Sequence, residues 1–275
     1  MKKLVLADRI VTTENPAFIM GIVNITPDSF WTESRGGAER AEQLIKEGAD
    51  VLDIGGESSR PGAEYVSAEE EIARIIPVIR NIRKISSIPI SVDTRKKQVM
   101  EAAVSEGADV LNDISALEDD DMLGIYAASV KIPVILMHKR GIPAIMQKNT
   151  SYENVFTEVN SYLIGRTSYA LSCGISSDKL IVDPGIGFGK NLAANVELIR
   201  NCGKLCDCAY PVLMALSRKT CIGEMTGQAV ENRLYGTLAA DIMAVLNGAF
   251  MIRVHDAAAA ADTMKVMKYL EGKKN

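Results

Sequence analysis

This chain has no excess of charge of either sign, no long apolar run, few histidines and an odd handful of cysteines. Its 31 lysines and arginines stand against 35 aspartates and glutamates, a net charge of −4, so it lacks the sequence-independent attraction that binds nucleic acid or an anionic membrane. No apolar run approaches the ~20 residues of a membrane-spanning helix. Asn24, Asp53, Arg60, Asp93 and Asp113 interrupt the most hydrophobic regions. The N-terminal MKKLVLADRIV carries two lysines, but Asp8 and Arg9 break its short apolar stretch, and it does not read as a signal peptide. Cys173, Cys202, Cys206, Cys208 and Cys221 are not spaced as a paired framework, as expected in a reducing compartment. Within them Cys202, Cys206 and Cys208 lack the two-residue gap common in zinc sites and read as ordinary thiols. These absences point to a soluble, cytoplasmic protein acting on small molecules, with no nucleic acid and no membrane among its partners.

What is present is a regular alternation. Short apolar runs at Phe18–Asn24, Val51–Gly55, Ile88–Asp93, Val110–Asp113, Val134–His138, Leu180–Asp183, Val212–Leu216 and Met251–Val254 are rich in Val, Ile, Leu and Met without clean alternation. That is the pattern of strands buried on both faces. Helical patterns separate them at Gly37–Glu47, Lys96–Glu106, Met122–Val130, Glu153–Cys173, Ala193–Cys202, Leu234–Asn247 and Ala258–Glu271. The clearest helix follows Ser67, which has a capping-box spacing to Glu70. Its Ile72, Ile75, Ile76, Ile79 and Ile82 form an inward stripe, and Pro77 is expected to kink it. Two near copies, Glu47-Gly48-Ala49-Asp50-Val51-Leu52 and Glu106-Gly107-Ala108-Asp109-Val110-Leu111, each close a helix on a left-handed glycine and enter a strand. Eight such units in 275 residues, with 47% hydrophobic residues and no dinucleotide fingerprint, predict a single (β/α)8 TIM barrel. A short extension is expected before it, at about residues 1–17.

In such a barrel every strand's C-terminal end lies on one rim, where catalytic groups collect. The groups following the runs are Asn24, Glu57, Asp93, Asn112, His138, Asp183, Lys219 and the pair Arg253 and His255. Asp93 and Asp183 can each accept two hydrogen bonds from an amino-pyrimidinone edge. Asn112 can donate and accept on the same edge, and Lys219 can donate to a ring carbonyl. Asp113 points to the opposite strand face and reads as structural. Arg253 and His255 alternate with Val254, so they share one face and can hold a diphosphate between them. Asp256 reads as a cap for the final helix. Gly185-Ile186-Gly187-Phe188-Gly189-Lys190 mimics a phosphate loop but has Pro184 and Asn191 at positions that need Gly and Ser or Thr. It reads as a close-approach loop, with Phe188 available to pack a ring.

Taken in order, IMGIVNITPDSF, DIGGESSRPG, SVDT, LNDISA, DPGIGFGK, SRKTCIG and IRVHD resemble the dihydropteroate synthase family over roughly residues 17 to 271. That family joins p-aminobenzoate to 6-hydroxymethyl-7,8-dihydropterin pyrophosphate, making dihydropteroate for folate and releasing pyrophosphate, and is the target of sulfonamides. The resemblance implies a pterin pocket of Asp93, Asn112, Asp183 and Lys219, and a diphosphate site of Ser59, Arg60, Arg253 and His255. Asp93, Lys219, Arg253 and His255 are the catalytic set it implies. It places Phe30, Pro61, Phe188, Ser217 and Thr220 around p-aminobenzoate, makes Asn24 a contact to a Mg2+ cofactor, and implies a homodimer. Ser59 stands where the family usually has Thr, Trp31-Thr32-Glu33 replaces a smaller loop sequence, and Lys139 follows His138 where Met is common. Two alternatives share the barrel and the pterin-binding carboxylates: a methyltetrahydrofolate-corrinoid methyltransferase, which would not need Arg253 and His255, and a non-catalytic pterin-binding paralogue, which could lose its leaving-group residues.

Overall fold

A computed structural model describes residues 1–25, 37–58, 65–141, 146, 149–270 and 272. The sheet is built from β3 (Phe18–Asn24), β4 (Val51–Gly55), β5 (Ile90–Asp93), β6 (Val110–Asp113), β7 (Val134–Met137), β8 (Leu180–Asp183), β9 (Leu213–Met214) and β10 (Met251–Val254). All pairings among them are parallel, in the order β8-β7-β6-β5-β4-β3-β10-β9. A bridge between Val182 and Val212 joins the two ends, so the sheet is a nearly closed barrel. Around it lie α1 (Gly37–Lys46), α2 (Ala68–Ile85), α3 (Lys97–Ser105), α4 (Asp121–Ser129), α5 (Val155–Ser172), α6 (Leu192–Asn201), α7 (Thr220–Thr226), α8 (Leu234–Leu246) and α9 (Ala257–Leu270).

Strand alternation sorts the interior into layers. Residues facing the helices, among them Ile19, Leu52, Val92, Leu111, Leu136, Val182 and Ile252, form one apolar core between sheet and helices. The opposite parity turns into the barrel. Near the strand starts it is apolar, with Phe18, Met20, Val51, Val110, Ile135, Ile181, Leu213 and Met251 packed together. One pleat further along, the same parity carries Asn24, Asp93, Asn112, Asp183 and Arg253, which line a cavity open at the strands' C-terminal ends. An apolar floor beneath a polar layer is thus written into most of the strands by their alternation, while β7 keeps the apolar Met137 at that level.

The first residues are more than an extension. β1 (Lys2–Val5) and β2 (Ile10–Thr13) form an antiparallel hairpin, and its Leu4 and Leu6 pack onto the apolar floor. Lys2 Nζ donates to the Ala249 carbonyl and Lys179 Nζ to that of Leu6, so the plug is tied to the barrel's closed end. Four-residue strands of mixed polarity give little periodic signal, which hid the hairpin in the sequence.

Other boundaries differ for local reasons. The third barrel strand begins at Ile90 rather than Ile88, since Pro89 has no N–H for the ladder. The seventh keeps only Leu213–Met214. The helix Thr220–Thr226 has no helical pattern among those read from the sequence, although the resemblance sets Thr220 near a helix start; it ends on Gly227 in the left-handed region. Helix α2 runs through Pro77 as one element, and Ser67 caps it by accepting from the Glu70 N–H. The Glu70 carboxylate turns to Arg74 instead of closing the box.

The two sequence repeats have a shared physical purpose. Gly48 and Gly107 both sit in the left-handed region, at φ 95° and 96°. The aspartate two residues later then accepts from a backbone N–H at the start of the preceding strand: Ile19 N donates to Asp50 Oδ2 and Ile90 N to Asp109 Oδ2, each at 2.9 Å. Each repeat latches one strand's entry to its neighbour.

One buried acid has no such use. Asp241 in α8 is 1% exposed and neither carboxylate oxygen has a hydrogen-bond partner. Burial holds its pKa well above the usual range, with Asp256 adding to the effect. A raised folded-state value means that the native protein binds the proton more tightly than the unfolded chain, so the stability penalty grows as pH rises above about 3.9. Asp241→Ala should stabilise the fold by roughly 1–3 kcal/mol at neutral pH, the cost of an unsatisfied buried polar group. Thermal melts of both proteins should converge toward pH 4; a gain that is constant with pH would reject this account.

Candidate active site

The cavity at the C-terminal rim has a volume of about 660 Å³, within the range of small-molecule sites. Of the residues singled out in the sequence, Asn24, Asp93, Asn112, Asp183, Phe188, Ser217, Lys219, Thr220, Arg253 and His255 all line it. Phe30, Ser59, Arg60 and Pro61 lie outside the described residues.

Arg253 sits at the centre of the polar layer. Its Nε donates to Asp53 Oδ2 at 2.6 Å and its Nη2 to Asp93 Oδ2 at 3.1 Å. Although burial works against its charge, Asp53 and Asp93 hold the guanidinium above its usual range. Asn112 Nδ2 donates to the same Asp53 oxygen at 3.1 Å. Asp53 therefore fixes two ligand-facing side chains without lining the cavity itself. Burial pushes Asp93 up to about 7, with Arg253 opposing the shift and Asp53 adding to it.

Opposite these groups, Asp183 Oδ1 accepts from Gly185 N at 2.7 Å. Burial raises Asp183, against the pull of Lys219. Lys219 is in turn lowered by burial to about 8, with Asp183 opposing. Its Nζ donates to the Ile186 carbonyl and lies 5.0 Å from the centroid of the Phe188 ring. The sixth loop can follow this path only with glycine at 185: φ is +66°, and a Cβ there would lie 1.9 Å from the His138 carbonyl oxygen.

At the eighth strand, His255 Nδ1 is 2.9 Å from Ser217 Oγ, which also accepts from His255 N at 3.1 Å. Ser217 thus positions the imidazole as well as lining the cavity. Between Ser217 and Lys219, Arg218 also borders the cavity, with its guanidinium paired to both oxygens of Asp256 at 2.8 Å. Its φ of +54° reverses the chain so that Lys219 and Thr220 can face inward. Asp256 is therefore chiefly the partner of Arg218, although its carbonyl also accepts from Ala260 N in α9.

Three other candidates serve as scaffolding. Asp113 accepts from Ser115 N, Ser115 Oγ and Leu117 N, shaping the turn in which Ala116 and Leu117 take positive φ. Glu57 touches the cavity, but its carboxylate is engaged by Arg95 and Lys96 at 2.9 and 2.8 Å. His138 is 6% exposed and meets Lys190 behind the sixth loop. Asp53 and Lys190 escaped the sequence reading. Asp53 had a readable signal, since a carboxylate inside VLDIG shares strand parity with Val51 and so faces inward.

Residues 20–255 match the family of pterin binding enzymes. The chain belongs to that family. Among its curated relatives is the dihydropteroate synthase of Neisseria meningitidis serogroup B, 44% identical with 92% of each chain covered. The Xanthomonas albilineans dihydropteroate synthase solved with 4-aminobenzoic acid has a TM-score of 0.89 at 42% identity over 98% of both chains. Its structure with 7,8-dihydropteroate gives 0.85 at 39% identity, again over 98% of both. The Yersinia pestis dihydropteroate synthase with a sulfonamide drug complex gives 0.92 at 33% identity over 98% of this chain and 100% of that one.

The Asp53 anchor makes a direct prediction. Asp53→Asn keeps the volume but removes the charge shared by Arg253 and Asn112, and losing a charge-assisted hydrogen bond is worth about 1.5–3 kcal/mol. Calorimetry should show pterin affinity falling about tenfold or more, with circular dichroism unchanged. Undiminished affinity would mean that Asp93 alone suffices to hold Arg253.

Proposed function

We infer that this chain is a transferase that condenses 6-hydroxymethyl-7,8-dihydropterin pyrophosphate with p-aminobenzoate to give 7,8-dihydropteroate and pyrophosphate, the dihydropteroate synthase reaction of folate biosynthesis. One observation carries the reading: acceptors suited to an amino-pyrimidinone edge and cationic groups suited to a diphosphate share one cavity, on a chain closely related to enzymes of that name.

Asp183, Asn112 and Asp93 receive the pterin edge, and Lys219 donates to its ring carbonyl. Asp183 Oδ1 is already engaged by Gly185 N, which leaves Oδ2 for the ligand. The diphosphate lies toward His255 and Arg253, with Ser59 and Arg60 assigned to it from the second loop. Arg253 spends Nε and Nη2 on carboxylates, so Nη1 is its donor for the leaving group. Phe188, Thr220 and Ser217 surround the aromatic amine, a set to which the family resemblance adds Phe30 and Pro61. The amine's lone pair forms the new N–C bond to the pterin methylene while the C–O bond to diphosphate breaks. Pyrophosphate keeps that electron pair, and the amine's proton passes to solvent. Conjugation with the pterin ring spreads the positive charge that develops on the methylene, so a weak arylamine needs no strong base. Cationic donors aimed at the leaving group lower the barrier where charge develops.

Magnesium fits these residues as an ion carried mainly by the substrate. Among the described residues no cluster of three His, Cys, Asp or Glu could hold a metal. Asn24 at the end of β3 offers an amide oxygen, and Mg2+ commonly binds through one or two protein oxygens plus substrate phosphates and water. When bound, the ion neutralises diphosphate oxygens. Arg253 and His255 at the rim also separate this reading from a methyl transfer to a corrinoid, which has no diphosphate to hold. Sulfonamides would compete for the p-aminobenzoate pocket. A cytoplasmic location is supported by five cysteines that are all free thiols.

The assay follows pyrophosphate and dihydropteroate together. Pyrophosphate should appear only with both substrates, one for each dihydropteroate, and a chelator should suppress it until magnesium is restored. Equal release without the amine would indicate a hydrolase and sink the synthase reading.

A homodimer is the assembly this reading implies. The packed helices α8 and α9 leave Tyr235, Met243, Leu246, Val266, Tyr269 and Leu270 exposed, an apolar surface suited to a second copy of the same face. Light scattering should give twice the chain mass of 29.8 kDa; a monomer at tens of micromolar would reject it.

A further inference from the structure

Behind the sixth loop, residues 184–191, lies a buried lysine that the proposed reaction does not use. Lys190 is 3% exposed. Its Nζ donates to the carbonyls of Gly185 at 2.9 Å and Phe188 at 3.0 Å and lies 2.8 Å from His138 Nδ1. An ammonium has three donors and no acceptor capacity. Three acceptors therefore saturate it, and His138 Nδ1 must then be the unprotonated nitrogen of a neutral ring. Burial agrees, lowering His138 to about 3, with Lys190 and Arg140 adding to the effect. The Tyr162 ring meets the imidazole edge-on with centroids 4.9 Å apart, which fixes its plane.

We propose that Lys190 is a positioning residue for the aromatic amine: through its bonds to Gly185, Phe188 and His138 it sets the loop that presents the Phe188 ring and the Ile186 carbonyl to the cavity. The loop is pressed against the end of the fifth barrel strand at two points. At Gly185 there is no room above the His138 carbonyl, and at Gly189 a Cβ would come within 2.9 Å of Arg140 Cβ. Tyr152 adds a hydroxyl bond to the Gly189 carbonyl at 3.0 Å. Lys190 folds back beneath this arch and ties its start to its crest. The Ile186 carbonyl in turn receives Lys219 Nζ, and the Phe188 ring stands beside that same ammonium. One buried cation thereby shapes two features of the cavity from behind. An aliphatic side chain at 190 would leave two carbonyls and an imidazole nitrogen without their donor, and the crest would relax.

The identity of the ligand beside Phe188 rests on the synthase reading; the hydrogen-bond arrangement does not, so it is tested separately. Burial pulls Lys190 to about 7, against Asp183 and together with Lys219 and Arg140, so the spectrum is taken at pH 6, where the ammonium dominates. The chain has two histidines. In 15N-labelled protein one ring should show an unprotonated, hydrogen-bonded Nδ1 and a protonated Nε2, and Lys190→Met should shift that Nδ1. A protonated His138 Nδ1 in the unaltered protein would overturn the arrangement. In steady-state assays Lys190→Met should raise KM for p-aminobenzoate about tenfold, as expected for buried groups left without partners. KM for the pterin pyrophosphate should rise clearly less, since Lys190 reaches Asp183 and Lys219 only through the backbone of Gly185 and Ile186. Lys190→Gln, which retains two donors, should fall between and serves where the methionine variant does not fold. An equal rise in both constants, or none in a folded variant, would overturn the positioning role. Failure of the unaltered protein to make dihydropteroate would remove the synthase reading while leaving the histidine result intact.

Discussion

Charge buried inside the barrel is the constraint on which the rest of the site depends. Asp53 has no exposed surface, and an unpaired carboxylate there would cost several kcal/mol in desolvation. Arg253 meets that cost by reaching across the barrel to Asp53 and Asp93, and Asn112 joins the same Asp53 oxygen. Removing any member leaves another uncompensated, so these residues behave as a unit rather than as separate contacts. The compensation is also incomplete: Asp53 Oδ1 and Ser91 Oγ remain buried without a protein partner.

A second set of charges, outside the cavity, holds the rim that the first set needs. Lys139, Asp119, Arg95, Glu57, Lys96 and Glu71 form a chain of alternating sign, with successive contacts of 3.2, 2.6, 2.9, 2.8 and 2.7 Å. It crosses the ends of β4, β5, β6 and β7, tying the segments that leave neighbouring strands. Tyr65, where the second loop returns, lays its ring on Arg95 at 4.3 Å. Glu57 also accepts from Val66 N. Both ends of that loop are therefore fixed to one carboxylate and one guanidinium. Neutralised in this way, the rim acids do not oppose an incoming anionic substrate as free carboxylates would.

Much of this was legible because barrel strands repeat one instruction. A short apolar run ending in a polar residue places that residue on the rim, and Asn24, Asp93, Asn112, Asp183, Lys219, Arg253 and His255 line one cavity for that reason, while Ser217 and Thr220 came from the family resemblance and Phe188 from its loop. Lys190 was legible as a residue but not as a role. It follows a glycine-rich stretch that resembles a phosphate loop, yet its partners are His138, 52 positions away, and two carbonyls of its own loop. Asp53 looked like an interruption in a hydrophobic run; its partner Arg253 is 200 positions away, and only closure of the barrel brings them together. Glu57 and His138 were placed correctly at strand ends, but sequence could not tell a side chain aimed at a ligand from one spent on a neighbour. The hairpin that plugs the barrel floor is hidden because its two strands mix polar and apolar residues, unlike an apolar four-residue barrel strand such as β7.

The order of charges with depth accounts for how one cavity can hold two unlike substrates. At the polar layer, Asp53, Asp93 and Asp183 face Arg253, Lys219 and Lys190, three acids against three bases. Burial raises two of these acids and lowers both lysines, drawing acids and bases alike toward their neutral forms. A nearly balanced floor suits a neutral heterocycle read by hydrogen bonds, because direction rather than net charge then decides binding. A diphosphate needs the reverse, an uncompensated positive field. The polar layer cannot provide it, since Arg253 there is paired to two carboxylates and both lysines are spent on loop carbonyls. On the proposed reading that field comes from the rim, where His255 and the remaining donor of Arg253 line the cavity. Keeping the strong field at the rim also sets it beside the bond that breaks rather than beside the ring, where it stabilises the departing charge without distorting recognition of the pterin.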